Sequence, residues 1–302
     1  MSPNRSAFAV FFLAVFVSWS VPFSAQAQQA FKLQLSGRWI EGTPLVATEK
    51  QVFLLGRDGQ MFEFAPSQAQ SFTKLNGSFY ALQRPQSYAA WYDATPPGFV
   101  FSIKGSQYVT SRRVLGEAGE SIGKFMASGL AELGPKLGPI VWQFATTKVF
   151  DPADFEDFLK LLPKKLDGQT VRHAVEVRHP SFMTAEFLAL VRRYGVATVF
   201  ADSDKYPSFA DPSGDLVYAR LMMTESRHKT GYPPERIRFW ADAARRWAKG
   251  EPVDGLPQIE ATSAPSRARD VFAFFISGAK ERAPSAAMAT LAALDFKPVA
   301  MA

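Results

Sequence analysis

The sequence is 302 residues long, with 47% hydrophobic and 21% charged residues, enough apolar content to bury a large core and too much for a disordered chain. Zero cysteines exclude disulfides, thiolate nucleophiles and Cys-ligated metal centres, and only three histidines, His173, His179 and His228, leave a histidine-based zinc site poorly supplied. The formal net charge of +6 allows an anionic partner but is too mild to require nucleic acid.

Residues 1–27 have the layout of a secretory signal: Arg5 near the start, an apolar run from Ala7 to Val17, and small residues ending Ala25–Gln26–Ala27, with cleavage expected after Ala27. The run is shorter than the roughly 20 residues that cross about 30 Å of hydrocarbon, so no membrane span is expected in the mature chain. An exported protein, periplasmic or secreted, follows; a cytoplasmic one follows only if the start is mistaken.

Residues 28–71 read as a small β-rich segment. Phe31–Leu35, Gln51–Leu55 and Gln60–Phe64 are its strand-like runs, and Asp58–Gly59 supplies hairpin chemistry. From about residue 72 to 302 strands alternate with helices. Phe99–Lys104, Pro139–Phe144, His173–Arg178, Val196–Ala201, Leu216–Leu221 and Val271–Ile276 are six short apolar strands, and Phe72–Leu75 is a candidate seventh. Helices are expected over about 121–133, then after Asp151–Pro152, where Phe155, Phe158, Leu159 and Leu162 repeat at helical spacing. A third carries Phe187, Leu190, Val191 and Tyr194 before Gly195, and others cover about 234–249 and 284–294, with 251–269 as a long surface loop. This alternation predicts an α/β chain built as a TIM-type (β/α)8 barrel whose first strand is missing or substituted.

Working residues in parallel α/β folds stand at the C-terminal ends of strands. In His173–Arg178, Glu176 and Arg178 share the face opposite Val175 and Val177. Lys104, Gln143, Asp202 and Arg220 end other strands, so closing a barrel is expected to bring all six around one mouth. Three cations, two carboxylates and an amide suit an anionic ligand, with Lys104, Gln143, Arg178 and Arg220 binding and Glu176 and Asp202 as catalytic candidates, Glu176 as general base. The competing view is that the charges pair with one another and fill the barrel top. Glu176, His179 and Asp202 are the one combination that could hold a divalent metal; no cofactor is assigned. The helix with Ile237, Trp240, Ala244 and Trp247 reads as core packing with a solvated basic face.

Several blocks of the chain resemble the YecE-like family, domain of unknown function 72. They are Asn76–Gly77–Ser78–Phe79–Tyr80, Arg84–Pro85, Thr95–Pro96–Pro97–Gly98, Trp142–Gln143–Phe144, His173 to Phe182, Ala201–Asp202, Tyr218 with Arg220, Gly231–Tyr232 and Arg282–Ala283–Pro284. The resemblance runs from about residue 72 to 295 and implies a TIM-type barrel; Tyr80, in the first block, joins the substrate-binding candidates. It also implies sugar or phosphodiester chemistry by analogy with related barrels. The chain departs from the family pattern at its first strand, at Lys74, at Leu221–Met222–Met223 and at Phe275–Ile276–Ser277–Gly278, which removes polar groups from strand ends. A protein that binds or processes an anionic sugar or phosphate is therefore the leading expectation. A non-catalytic exported binding or scaffold protein is the second, and a metal-dependent phosphodiesterase the third.

Overall fold

Five strands open the fold: β1 (Ala30–Leu35), β2 (Arg38–Ala47), β3 (Val52–Gly56), β4 (Met61–Phe64) and β5 (Ala69–Leu75). They pair antiparallel in the order β4-β3-β2-β1-β5, with Leu33 opposite both Ile40 and Phe72. The candidate seventh barrel strand, Phe72–Leu75, is thus a correction: it lies within β5 and pairs antiparallel with β1, outside the parallel sheet. The computed structural model describes the backbone of these strands, and residues 82–93, 95, 97–260 and 267–295. The signal-like segment and Tyr80 fall outside the described residues.

The remaining elements are α1 (Pro85–Asp93), β6 (Phe101–Lys104), α2 (Gln107–Thr110), α3 (Gly119–Met126), β7 (Leu137–Gln143), α4 (Pro152–Leu161), β8 (Lys165–Leu166) and β9 (Gln169–Thr170). They continue with β10 (His173–Glu176), α5 (Ala185–Tyr194), β11 (Ala197–Asp202), β12 (Leu216–Leu221), α6 (Pro234–Lys249), β13 (Asp270–Phe275) and α7 (Ala283–Ala293). The six apolar runs named above become β6, β7, β10, β11, β12 and β13, which form one parallel sheet in the order β13-β12-β11-β10-β7-β6. This is an α/β fold whose parallel sheet has six strands among the described residues, where a closed (β/α)8 barrel requires eight.

Among the described residues two compact units divide the chain, one of Val141–Lys160 with the residues from His173 onward, the other of the residues from β1 to Ile140 with Leu161–Arg172. In the second unit, Gly129 lets α1 approach closely, since a Cβ there would stand 2.4 Å from Pro85 Cα. Lys136, buried, ties down the end of α1: its ammonium donates to Tyr92 O (2.5 Å) and Thr95 O (2.6 Å) and stands 4.1 Å from the centroid of the Tyr92 ring. A cation at a helix C-terminus meets carbonyls that have no partner in the helix. The pair β8–β9 turns through Asp167 and Gly168, both at positive φ, which a two-residue hairpin requires.

In the first unit, α5 starts and stops where its sequence signals stand. Thr184 Oγ1 accepts the Phe187 N–H at 3.2 Å, and Gly195 closes the helix at φ 67°. Helical spacing aims Phe155 and Phe158 of α4 at Phe144, just beyond β7, with ring centroids 5.3 and 5.4 Å apart. Phe150, Phe182 and Phe187 complete the cluster around Phe155 at 5.4–6.0 Å. On α6, Trp240, Ala244 and Trp247 pack against Phe200, Val217, Ala219 and Leu221, so the aromatic stripe is core.

Phe155 touches five other aromatic rings and is 1% exposed, so its removal leaves a cavity that the rigid rings cannot fill. Phe155→Ala is expected to lower unfolding free energy by about 3–5 kcal/mol, read by urea denaturation. A loss below about 1 kcal/mol would contradict this packing.

Candidate functional site

Strand pairing decides which side chains can meet. Ladder partners in a sheet point the same way, and successive residues point oppositely. Ala201 is in register with Arg220, and Arg220 with Phe274; Val199 is in register with Tyr218, and Tyr218 with Phe272. These residues share one face of the sheet. The other face carries Phe200, Val217, Ala219 and Leu221 beneath α6. On β10, Ala174 is in register with Ala197, which places Glu176 on the face of Ala201 and Arg220. The Phe144 N–H donates to Glu176 O at 2.9 Å, which makes Gln143 the ladder neighbour of Glu176 on that same face.

Three charged groups converge there. Glu176, 2% exposed, ends β10, and its Oε1 accepts Arg178 Nε at 2.8 Å and Arg178 Nη2 at 2.6 Å. Arg220, 3% exposed and near the end of β12, donates from Nη1 to the same oxygen. Glu176 and Arg220 belong to strands on either side of β11, two strand spacings or about 9.6 Å apart. They meet because an arginine is long and because the β11 residue opposite Arg220 is Ala201, whose small side chain leaves the path open. Tyr206, in the loop after β11, lies over Arg178 with the guanidinium carbon 4.3 Å from its ring centroid. A buried carboxylate is expensive unless paired, and here two guanidiniums pair with one oxygen.

Asp202 does not join this group. It is in register with Leu221, one residue out of phase with Arg220, and so faces α6. Its Oδ1 accepts Arg236 Nη2 at 3.1 Å, while the Tyr232 hydroxyl stands 3.5 Å from Oδ2 and accepts the Met223 N–H at 3.0 Å. The expectation of six residues around one mouth is therefore corrected for Asp202, because the phase between neighbouring strands is set by register. Burial raises the Asp202 carboxyl above its ordinary value, against the opposing effect of Arg236 and Tyr232. Burial beside Asp202 also pushes the Tyr232 phenol up.

Lys104 ends β6 in the second unit, half-buried and already engaged in an interaction. Gln143 is half-buried at the end of β7. His179 caps the turn after β10, its Nδ1 accepting the Ser181 N–H at 3.2 Å and standing 2.8 Å from Ser181 Oγ, which itself accepts the Phe150 N–H at 2.8 Å. His173 Nδ1 accepts the Trp142 indole N–H at 3.1 Å. No group of three or more His, Cys, Asp and Glu side chains able to hold a metal occurs among the described residues. Sequence reasoning missed Tyr206 and Arg236. Tyr206 sits in a loop without periodicity; Arg236, four residues before Trp240, belongs by its spacing to the basic face of the helix, although its guanidinium carbon lies 4.3 Å from the Trp240 ring centroid.

The family of proteins of unknown function called DUF72 matches residues 67–301 of the chain. A search of curated proteins finds no match. Among solved structures, a DUF72 family protein from Enterococcus faecalis V583 is similar at TM-score 0.53 and 16% identity, over 74% of this chain and 86% of that one. A DUF72 family protein from Thermotoga maritima MSB8 is similar at TM-score 0.50 and 19% identity, over 74% and 81% of the two chains. At these identities the likeness is one of fold.

The raised Asp202 carboxyl has a stability consequence of definite sign. A group whose pKa is higher folded than unfolded favours the fold most below its ordinary value, here 3.8, and that contribution is lost as pH rises through the folded value. Asp202→Asn is therefore expected to melt at a higher temperature than the parent at pH 7, with the difference shrinking toward pH 4. A lower melting temperature at pH 7 that recovers in acid would overturn the assignment.

Proposed function

Because the chain belongs to the DUF72 family, for which no activity is assigned, we propose its function from the charged cluster itself: the Arg178–Glu176–Arg220 group is a binding site for a small anionic ligand. The observation that carries this reading is the excess of positive charge at a buried place. Two guanidiniums share one carboxylate oxygen, which leaves one positive charge uncompensated by any ionised side chain bonded to them among the described residues. An anion supplies the missing charge and accepts the guanidinium N–H groups that Glu176 does not use. The location supports it too, since both strands contribute at or near their C-terminal ends.

Binding is favoured over catalysis. Glu176 Oε1 already accepts three N–H groups, so it serves as an internal counter-ion, and Asp202 is committed to Arg236 on the other face of the sheet. The ends of β12 and β13 run into Met222–Met223 and Ile276–Ser277–Gly278, which supply no acid or base. A metal-dependent phosphodiesterase finds little support, because the acidic and histidine side chains do not gather into a donor set among the described residues. Closure into a (β/α)8 barrel belongs to this proposal and is supported by the six parallel strands and the likeness to the Enterococcus faecalis protein.

Isothermal titration of the full chain with inorganic phosphate and with acetate tests the reading. At least one of these anions is expected to bind, more weakly as NaCl is raised, with Arg178→Ala weakening it by about tenfold or more. Binding that ignores Arg178→Ala, or no binding of either anion, would contradict it.

A further inference from the structure

We infer that the site takes a singly charged organic carboxylate and rejects doubly charged phosphate monoesters, and that Glu176 sets this limit. The inference rests on the anion-binding reading above and narrows it to one ligand class.

Charge is the first ground. Arg178, Arg220 and Glu176 sum to +1, and among the described residues no other charged side chain is bonded to any of the three. Glu176 is 2% and Arg220 3% exposed, so uncompensated charge here is poorly screened by water. A monoanion brings the sum to zero. A dianion takes it to −1, exchanging one unbalanced buried charge for another, so its second charge gains nothing from the site.

Geometry is the second ground. Arg178 turns its Nε–Nη2 edge to Glu176 and stacks on Tyr206, so Nη1 is the nitrogen that Glu176 does not engage. Arg220 uses Nη1 on Glu176 and retains Nε and Nη2. The donors left over belong to two guanidiniums, which bond carboxylate and phosphate oxygens alike, so geometry supplies the anion contacts and charge supplies the discrimination. Tyr206 covers one face of the Arg178 guanidinium, its ring centroid 4.3 Å from the guanidinium carbon, which leaves the edge rather than that face for the ligand. Glu176 is thus a specificity-determining residue: as the sole carboxylate in the group, it fixes how much negative charge the arginines can still accept.

The test compares D-glucuronate with glucose 6-phosphate by isothermal titration of the full chain at pH 7.5, with glucose as the neutral control and inorganic phosphate as the probe of anion binding in general. Glucuronate is expected to bind about tenfold or more tightly than glucose 6-phosphate. Glu176→Gln raises the sum to +2, and glucose 6-phosphate is then expected to gain about tenfold relative to glucuronate. Arg178→Ala lowers the sum to zero and is expected to weaken both. Should Glu176→Gln fail to fold, pH replaces it: the phosphate ester loses its second charge below about pH 6, so its affinity for the parent chain should rise about tenfold between pH 7.5 and pH 5. Glucose 6-phosphate binding as tightly as glucuronate at pH 7.5, or an affinity flat across that pH range, would overturn the carboxylate limit. If phosphate still bound through Arg178 in that case, the anion-binding reading would stand; if neither phosphate nor glucuronate bound, both would fall.

Discussion

A carboxyl group in a protein interior needs its hydrogen-bonding capacity met by groups that the fold itself holds in place. Glu176 meets that condition at Oε1 with donors from two separate stretches of chain, Arg178 just beyond its own strand and Arg220 across β11. The tie works only if three strands keep their register, because a slip of one residue would turn Arg220 toward α6 and bring a hydrophobic neighbour to Glu176. A second requirement falls on β11, where Ala201 must stay small. The charged cluster therefore reports on the alignment of β10, β11 and β12 together, and its assembly depends on backbone pairing more than on the attraction between the charges.

The two faces of this part of the sheet handle burial in opposite ways. Toward α4, α5 and α6 the solution is aromatic: Phe144, Phe155, Phe182 and Phe187 meet mostly edge to face, and Trp240 and Trp247 cover Phe200. Each well-oriented pair adds about 0.5–1.5 kcal/mol beyond the burial of its area. On the opposite face Tyr218 stacks on Phe272 and Phe274, and beyond these rings the polar cluster takes over toward the strand ends. The aromatic face holds the strands in place; the polar end gathers buried guanidinium donors around Glu176. Asp202 stands on the aromatic side, where it orders the loop between β12 and α6 through Tyr232 and Arg236.

Much of this was legible in the residue pattern, and what was not has identifiable causes. The six parallel strands stood out because each is a short apolar run bounded by a helix of clear 3.6-residue period. Glu176 and Arg178 could be put on one face because alternation within a strand is a local property. Asp202 faces away from Arg220 because the phase between β11 and β12 depends on register, which no local pattern records. The helix α1 has signals in the sequence, Pro85 at its start and Tyr88, Trp91 and Tyr92 at helical spacing, but they are weak beside its polar and small residues. The β8–β9 hairpin is hard to read despite Asp167–Gly168, since only two residues on each side pair, whereas longer strand-like runs flank the same dipeptide at Asp58–Gly59. Tyr206 had no sequence signal, since a loop aromatic acquires its role only from what the fold lays against it.

The central claim is that Arg178 and Arg220, held by Glu176, present their remaining donors to an anion. A crystal structure of the full chain soaked in D-glucuronate tests it most directly. The account predicts carboxylate density within about 3 Å of guanidinium nitrogens of both Arg178 and Arg220, with Glu176 Oε1 still accepting from each. Density elsewhere with these two side chains sealed by protein acceptors, or Glu176 turned away from both arginines, would contradict it.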